Sequence, residues 1–224
     1  MCSRYSLTSP PEAVRAYFGY VNDEPFPPRY NIAPTQPVPI VRRSLAGMRE
    51  LVLVRWGLIP SWVKEPGSFS TLINARSETA ADKPSFRGAM RHRRCLVPAD
   101  GFYEWTGAAG TKQPHLVRPA RGGPMAMAGL WEHWLGADGS ELETMAILTT
   151  TASPDLAWLH DRMPVILPPA AFEAWLDCRS GSAREIVALL APAQEGLLAT
   201  VAVSRRLNNP RNEGPEVQEP VPPA

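Results

Sequence analysis

The sequence predicts an α+β fold with a mostly antiparallel, barrel-like β-sheet and flanking helices. Strand patterns fill the middle of the chain, helix patterns lie near its ends, and no regular βαβ alternation appears. The 224 residues, 44% hydrophobic and 20% charged, have the composition of one domain with a buried core. We expect a single domain over residues 1–211 and a Pro-rich C-terminal tail over residues 212–224, extended or frayed.

The first predicted element is a short helix within residues 7–20. Thr8 or Ser9 can cap it, because a side-chain hydroxyl accepts hydrogen bonds from the first backbone amides. Two prolines follow at positions that suit the first helical turn. Val14 and Phe18 lie four residues apart and so share the face that we expect to be buried.

Strand patterns follow along most of the chain. Apolar residues that alternate or run together between turn residues predict strands at 37–43, 51–56, 94–98, 101–105, 114–118, 125–131, 144–149 and 197–203. Helices are expected at 168–177 and 182–191. Residues 21–36 and 57–92 are predicted to be mostly irregular, and so long a segment without elements is usually functional in a compact domain.

The cysteines and the N-terminus exclude several classes of protein. Cys2, Cys95 and Cys178 are far apart and form no CxxC pair, so we expect neither a disulfide framework nor a zinc ribbon. No apolar run reaches the roughly 20 residues of a membrane span, and the N-terminus lacks the hydrophobic stretch of a secretory signal. These features favour a reducing, soluble compartment.

The charge is nearly balanced, but its composition is skewed. The formal net charge is +1, and 20 of the 23 basic residues are arginines. Guanidinium groups bind phosphates and carboxylates in a bidentate manner, so the skew fits a polyanion site. Genomic base composition is the simpler explanation of the skew, because Ala and Pro are abundant too. Arginines near Trp56, Trp62 and Trp105 would suit single-stranded nucleic acid if one groove held them.

Cys2 offers distinctive chemistry once Met1 is removed, which a small second residue permits. Its α-amine then has a pKa of about 8 and its thiol has a pKa of about 8.5, so both groups are partly nucleophilic at neutral pH. The amine can condense with an aldehyde to an imine, on which the thiol closes a five-membered thiazolidine. The alternative is that Cys2 merely follows the initiator methionine and has no functional role.

Three polar residues elsewhere are candidates for proton transfer or substrate positioning. Asn74 lies in the alternating segment LINARSE, which is equally typical of a solvated strand end. Glu104 lies among aromatics in GFYEW, either exposed at a rim or buried with a raised pKa that suits a general acid or base. His160 is a natural proton shuttle, or else a capping or core histidine. No spacing of His, Cys and Asp suggests a metal site.

Seven segments together resemble the SOS response-associated peptidase (SRAP) family of abasic site processing proteins. They occur in family order over nearly the whole chain: MCSRY, RYNIAPTQPVPIV, WGLIPSW, LINARSET, RCLVPADGFYEW, HDRMPVIL and VSRRLNNPRNEGPE. The resemblance implies an SRAP-like, β-rich α+β domain with a groove for single-stranded DNA containing abasic sites. With it we expect no cofactor, no metal and no membrane, and a monomer in the cytoplasm at the nucleoid.

The resemblance also implies a covalent thiazolidine crosslink between Cys2 and abasic DNA, which shields the lesion during the DNA damage response. Lyase-like and autoproteolytic peptidase activities accompany it. The implied catalytic residues are Cys2, Asn74, Glu104 and His160. The implied DNA-binding residues are Arg4, Asn31, Pro34, Trp62, Arg76, Thr149 and Arg162. Of these, Arg76 and Arg162 match positions that hold phosphates.

Ser3 departs from the family pattern, in which the third residue is commonly Gly. A serine would hinder Cys2 if the backbone there needed a positive φ, which only glycine adopts freely. We expect Ser3 to be tolerated.

Two other functions remain open. A cysteine peptidase or N-terminal-nucleophile amidohydrolase would use Cys2 with its own amine or His160 as base, and it needs an oxyanion hole rather than an arginine-lined groove. A DNA-binding module without chemistry would bind in a salt-sensitive manner that survives Cys2→Ala. Activity toward aldehyde-bearing DNA or toward an amide reporter distinguishes the two enzymes.

Overall fold

A computed structural model describes residues 2–108, 110–179 and 183–222. Within these residues the strands are β1 (Tyr5–Leu7), β2 (Arg29–Ile32), β3 (Pro37–Arg43), β4 (Arg49–Trp56), β5 (Asn74–Arg76), β6 (Arg94–Ala99), β7 (Gly101–Thr106), β8 (Gln113–Pro119), β9 (Met125–Leu135), β10 (Glu141–Thr151), β11 (Arg162–Pro164), β12 (Ile166–Leu167) and β13 (Leu198–Ala202). The helices are α1 (Pro11–Phe18), α2 (Arg87–His92), α3 (Phe172–Leu176) and α4 (Ala183–Ala188). Short 3₁₀ helices lie at Pro66–Ser68, Pro169–Ala171, Arg205–Asn208 and Pro215–Gln218.

Five strands close into a barrel. β10 pairs with both β4 and β9, and the path from β4 through β3 and β6 to β9 completes the ring. A second sheet has the order β13-β8-β7-β1-β2. Among the strand pairs of the described residues, only those of β10 with β4 and β5 are parallel. The predicted α+β fold with a mostly antiparallel, barrel-like sheet is confirmed.

The core fills the barrel because its strands carry apolar residues on the inward face. All six residues of β6 are buried, and β10 is buried from Thr144 to Thr150. Gly129 on β9 allows a close approach, since a Cβ there would lie 2.7 Å from Val97 and 2.8 Å from the Cys95 sulfur. Burial raises the pKa of the Cys95 thiol, which therefore stays neutral inside the core.

The helix α1 begins as expected but is capped differently. Phe18 is buried, in agreement with the predicted apolar face. Pro10 occupies the capping position, and Thr8 and Ser9 serve another purpose. Both of their backbone amides donate to Asp100 Oδ2, at 2.5 and 2.6 Å, and Ser9 Oγ donates to Asp100 Oδ1 at 2.6 Å. The predicted hydroxyl cap is wrong because Asp100 binds this turn instead.

The two segments predicted to be irregular contain short elements. β2 lies within residues 21–36, and β5 and α2 lie within residues 57–92. β5 has three residues and α2 has six, too few to show a hydrophobic period. No helix in the described parts of the chain is long and apolar enough to cross a membrane.

Residues 212–222 fold back onto the second sheet, which differs from the extended or frayed end that we expected. Val217 is fully buried in a cluster with Tyr103. Gln218 Nε2 donates to the Tyr103 hydroxyl at 2.7 Å, and Glu213 forms an ion pair with Arg29 at 3.0 Å. The Ser204 amide also donates to the Glu219 carbonyl oxygen at 3.0 Å, so backbone and side-chain contacts hold a segment whose proline content suggested an unpaired tail.

Candidate active site

The fold brings Cys2 beside Asn74. Cys2 lies just before β1 in the second sheet, whereas Asn74 begins β5, which pairs with β10 next to the barrel. Asn74 Nδ2 donates a hydrogen bond of 2.7 Å to the Cys2 carbonyl oxygen. Two of the four predicted catalytic residues thus meet across 72 positions of the chain.

The Cys2 side chain is completely buried. Its sulfur donates to the Arg4 carbonyl oxygen at 3.7 Å, and the same oxygen accepts from the Tyr103 amide of β7 at 3.0 Å. Burial raises the pKa of the Cys2 thiol, and the negative charge of Glu104 raises it further. The group is therefore a thiol at neutral pH, and it needs a base to become a nucleophile.

Glu104 supplies a carboxyl group at this position. It follows Tyr103 on β7 and is only 5% exposed. Of the two positions that the sequence left open, an exposed rim and a buried site, Glu104 therefore has the buried one. Burial raises the pKa of Glu104, against nearby positive charges that include His160. A buried carboxyl group with a raised pKa can hold or release a proton nearer to neutral pH.

His160 has two partners for the same ring nitrogen. The Arg162 backbone amide donates to Nδ1 at 2.9 Å, and the Asp161 carboxylate lies 2.7 Å from Nδ1. The amide can donate only while Nδ1 carries no proton, whereas the carboxylate forms an ion pair only when Nδ1 is protonated. The backbone amide therefore holds the ring that is unprotonated at Nδ1, and Asp161 stabilises the doubly protonated ring.

Three of the predicted DNA-binding residues lie on adjacent strands. Thr149 of β10 pairs with Arg76 of β5 on one side and with Pro164 of β11 on the other. Arg162, which begins β11, donates from Nη2 to the Thr149 carbonyl oxygen at 2.6 Å. The Thr149 side chain is buried and Arg76 is exposed.

The main partner of Arg162 was missed by the sequence analysis. Glu78 accepts from Arg162 Nη1 at 2.6 Å and from Nη2 at 2.8 Å, across 84 positions of the chain. The only signal in the sequence was the place of Glu78 two residues after Arg76 in LINARSET. Proximity to Arg76 does not reveal a bond to a residue on another strand.

Arg4 and Asn31 contact each other inside the protein. Arg4 Nη1 donates to Asn31 Oδ1 at 2.8 Å. Asn31 is fully buried, and its Nδ2 donates to the carbonyl oxygens of Leu207, Asn209 and Asn212 at 2.9 to 3.2 Å. The Asn31 amide thus fastens the late segment to β2, and a contact with DNA stays a prediction.

We expect Asn31→Ala to lower the free energy of unfolding by about 2 kcal/mol, because it removes the hydrogen bonds of a fully buried amide to Arg4 and to three backbone carbonyl oxygens. Denaturant titration measures the loss. Asn31→Asp is the matched control, since it keeps the acceptor for Arg4 and removes the donors. A loss smaller than about 0.5 kcal/mol in Asn31→Ala would show that these bonds contribute little.

Trp62 and Pro34 lie in loops. Trp62 is 58% exposed, and its ring packs edge-on against Phe69 at 5.9 Å. It borders a groove of about 480 Å³ that Arg87 and Arg93 also line. An exposed indole beside two guanidinium groups suits a stacked base. Pro34 is half-buried in the turn between β2 and β3. For both residues a contact with DNA stays a prediction.

A second groove, of about 450 Å³, is lined by the two residues that follow Cys2 in the chain. Its lining residues are Ser3, Arg4, Trp105, Gly110, Lys112 and Asn208. The Trp105 indole N–H donates to Asn208 Oδ1 at 2.7 Å, and the Arg4 guanidinium lies 5.8 Å from the Trp105 ring centre. Lys112 lies in the loop before β8 and Asn208 ends a short 3₁₀ helix, and no pattern in the sequence marks either residue as part of a site.

Comparison with known proteins relates this geometry to a family. A sequence model described as SOS response associated peptidase (SRAP) matches residues 1–210. The chain belongs to the SRAP family. The match confirms the resemblance drawn from the seven segments, and the SRAP model ends just before the segment that folds back onto the second sheet.

Individual SRAP relatives are similar over their full length. The abasic site processing protein YoqW of Bacillus subtilis is 35% identical over 223 residues, covering 98% of this chain and 99% of YoqW. The abasic site processing protein YedK of Escherichia coli is 33% identical over 230 residues, covering 99% and 100%. A crystal structure of a Bacteroides thetaiotaomicron protein has a TM-score of 0.88 at 28% identity, covering 98% of this chain and 100% of that chain.

Proposed function

We propose that this protein processes abasic sites in single-stranded DNA by forming a covalent thiazolidine between Cys2 and the lesion. The observation that carries the proposal is a buried cysteine at position 2, hydrogen-bonded to Asn74 and electrostatically coupled to Glu104. The names of YoqW and YedK, both abasic site processing proteins, support the substrate. The protein acts in the cytoplasm, at the nucleoid.

The proposed reaction joins the lesion to both functional groups of Cys2. The α-amine attacks C1′ of the open-chain aldehyde, a C–N bond forms, and the aldehyde oxygen leaves as water to give an imine. The sulfur then attacks the imine carbon, a C–S bond forms, and the thiol proton ends on the nitrogen. Met1 must first be removed, because an amide nitrogen is not nucleophilic.

Asn74 positions the amine in this scheme. Its Nδ2 binds the Cys2 carbonyl oxygen, which fixes the backbone next to the reacting nitrogen. Its Oδ1 is buried and has no hydrogen-bond partner among the residues that the structure describes. This oxygen can accept a hydrogen bond from the mature amino group and direct the nitrogen lone pair toward C1′.

Glu104 and His160 move the protons. Glu104 takes a proton from the Cys2 ammonium group and returns it to the hydroxyl that leaves as water when the imine forms. The ionised Glu104 then takes the proton of the thiol, whose pKa is raised by burial and by Glu104, and passes it to the ring nitrogen. His160 donates a proton from Nε2 to the sugar ring oxygen while the ring is doubly protonated and paired with Asp161 at Nδ1, and this step promotes opening to the aldehyde.

Arginine side chains hold the DNA in the proposal. Arg76 is exposed on β5 and Arg162 lies on β11, the two strands on either side of Thr149 in β10, so together they can bind the phosphates beside the lesion. Arg4 lines the groove at Ser3 and is the third arginine assigned to the DNA.

Two side activities belong to the same proposal. An imine that forms without ring closure permits β-elimination, which makes the protein a weak lyase. Removal of Met1 by the protein itself would use Cys2 as the nucleophile, and the word peptidase in the family description supports this step. The thiazolidine itself shields the lesion from strand cleavage.

A crosslinking gel tests the proposed function. The mature protein is mixed with a single-stranded oligonucleotide that contains one abasic site, and the products are separated under denaturing conditions. We expect a shifted, denaturant-stable band with this DNA and none with the intact oligonucleotide. Hydrolysis of an amide reporter without any shifted band would instead support the amidohydrolase alternative.

Ser3→Gly is expected to change the rate of crosslinking by less than about twofold. Among the non-glycine residues that the structure describes, only Thr35 has a positive φ, at 72°, so Ser3 lies in a region that any residue adopts. Rate constants from quenched reactions with the abasic oligonucleotide check this. An acceleration of more than about fivefold would show that the serine Cβ obstructs the reaction.

A further inference from the structure

Glu78 is the anion that faces both proposed phosphate-binding arginines. It receives two short hydrogen bonds from Arg162, at 2.6 and 2.8 Å. The hydrogen bond from Arg162, together with the charges of Arg162 and Arg76, lowers the pKa of the Glu78 carboxyl group. The group is therefore ionised at neutral pH, and it neutralises the cations that would bind DNA.

Arg162 is held in place without Glu78. Its Nη2 also donates to the Thr149 carbonyl oxygen at 2.6 Å, within the sheet. The Arg162 side chain is 14% exposed, against 47% for Glu78, so Glu78 can turn into solvent while the guanidinium stays. Arg162 Nε is buried and lacks a hydrogen-bond partner among the described residues, so Glu78 does not use every donor of the guanidinium group.

We propose that Glu78 is a built-in competitor for DNA phosphate, which occupies Arg162 in the free protein and is displaced when single-stranded DNA binds. The inference rests on the proposed DNA-binding function. The exchange replaces one charge-assisted ion pair by another, so binding of an undamaged strand is favoured by little free energy. The competition between Glu78 and phosphate is the same for every DNA sequence, because a phosphate carries no base information. Retention on DNA then depends on the covalent bond at the lesion.

Equilibrium binding to an undamaged single-stranded oligonucleotide, followed by fluorescence anisotropy, tests this role. Glu78→Gln keeps the shape of the side chain and removes its charge. We expect its Kd to fall about threefold to tenfold at low salt. Its affinity should also depend more steeply on salt, by about 0.7 in the logarithmic slope, because one more cation is free to release counterions.

Two further variants make the test specific. In an Arg162→Gln background, Glu78→Gln should give no gain in affinity, because the cation that it frees is absent. Glu173→Gln removes the same charge from an ion pair with Arg43 and Arg49, so it controls for net charge. We expect it to change Kd by less than about twofold.

Unchanged or weaker binding by Glu78→Gln would overturn the inference, since Glu78 would then only support Arg162. A gain that persists in the Arg162→Gln background would overturn it too. Crosslinking of the abasic oligonucleotide by the wild type is read separately. If the wild type crosslinks while Glu78→Gln gains no affinity, the inference alone fails. If the wild type neither binds nor crosslinks, the proposed function fails and the inference with it.

Discussion

Cys2→Ser is expected to lower the yield of denaturant-stable crosslink at least about 100-fold in the absence of a reductant. Serine keeps the α-amine, so an imine can still form, but its hydroxyl is a far weaker nucleophile for ring closure. The imine hydrolyses under denaturing conditions, whereas the thiazolidine persists. A denaturing gel with the abasic oligonucleotide measures the yield.

Cys178→Ser is the matched control for this substitution. Cys178 is a half-exposed free thiol at the end of α3, and we expect its replacement to leave the yield unchanged. Borohydride added to the Cys2→Ser reaction should restore a stable band by reducing the imine. If Cys2→Ser alone gives as much stable adduct as the wild type, ring closure by the thiol is not the reaction.

Glu104→Gln is expected to lower the rate constant of crosslinking by about 10²–10³ at saturating DNA, the usual effect of removing a general base. The amide cannot take a proton from the ammonium group or from the buried thiol. Quenched-flow or manual time courses on the denaturing gel measure the rate. Glu143→Gln, which removes a half-buried carboxylate paired with Arg42 at 2.5 Å, should leave it unchanged.

The pH dependence supports the same assignment. The pKa of Glu104 is raised by burial, and only its ionised form acts as a base. The wild-type rate should therefore fall as the pH falls through this raised pKa, and Glu104→Gln should lose that part of the profile. Because the Glu104 charge also raises the pKa of the Cys2 thiol, neutralising it favours the thiolate. An equal or faster rate in Glu104→Gln would show that this effect outweighs proton transfer.

Strands could be predicted from the sequence where one face is apolar over several residues. β3 has the expected bounds, Pro37–Arg43, and β6 to β10 lie where the patterns placed them. β5 and α2 could not be predicted, since three and six residues carry no period. Residues 212–222 pack against the protein because Val217 is buried in the cluster that contains Tyr103. Such a contact between distant residues cannot be predicted from local composition.

The site was predicted as a set of residues rather than as an arrangement. Family motifs named Asn74 and Arg162, but not that Asn74 binds the Cys2 backbone or that Glu78 occupies Arg162. Asn31 was implied by the family resemblance as a DNA-binding residue, and its burial and its bonds to the late segment could not be read from the sequence. Hydrogen bonds between distant strands follow from register, which no pattern along one segment contains.

Mass spectrometry of the crosslinked N-terminal peptide tests the thiazolidine most directly. The adduct is formed on abasic DNA, trimmed by nuclease and protease, and treated with borohydride and a thiol-alkylating reagent. We expect a peptide that begins at Cys2, carries the sugar with loss of one water, and resists both reagents. A peptide that gains two hydrogens, a Cys2 thiol that is alkylated, or an adduct on another residue would contradict the proposed linkage.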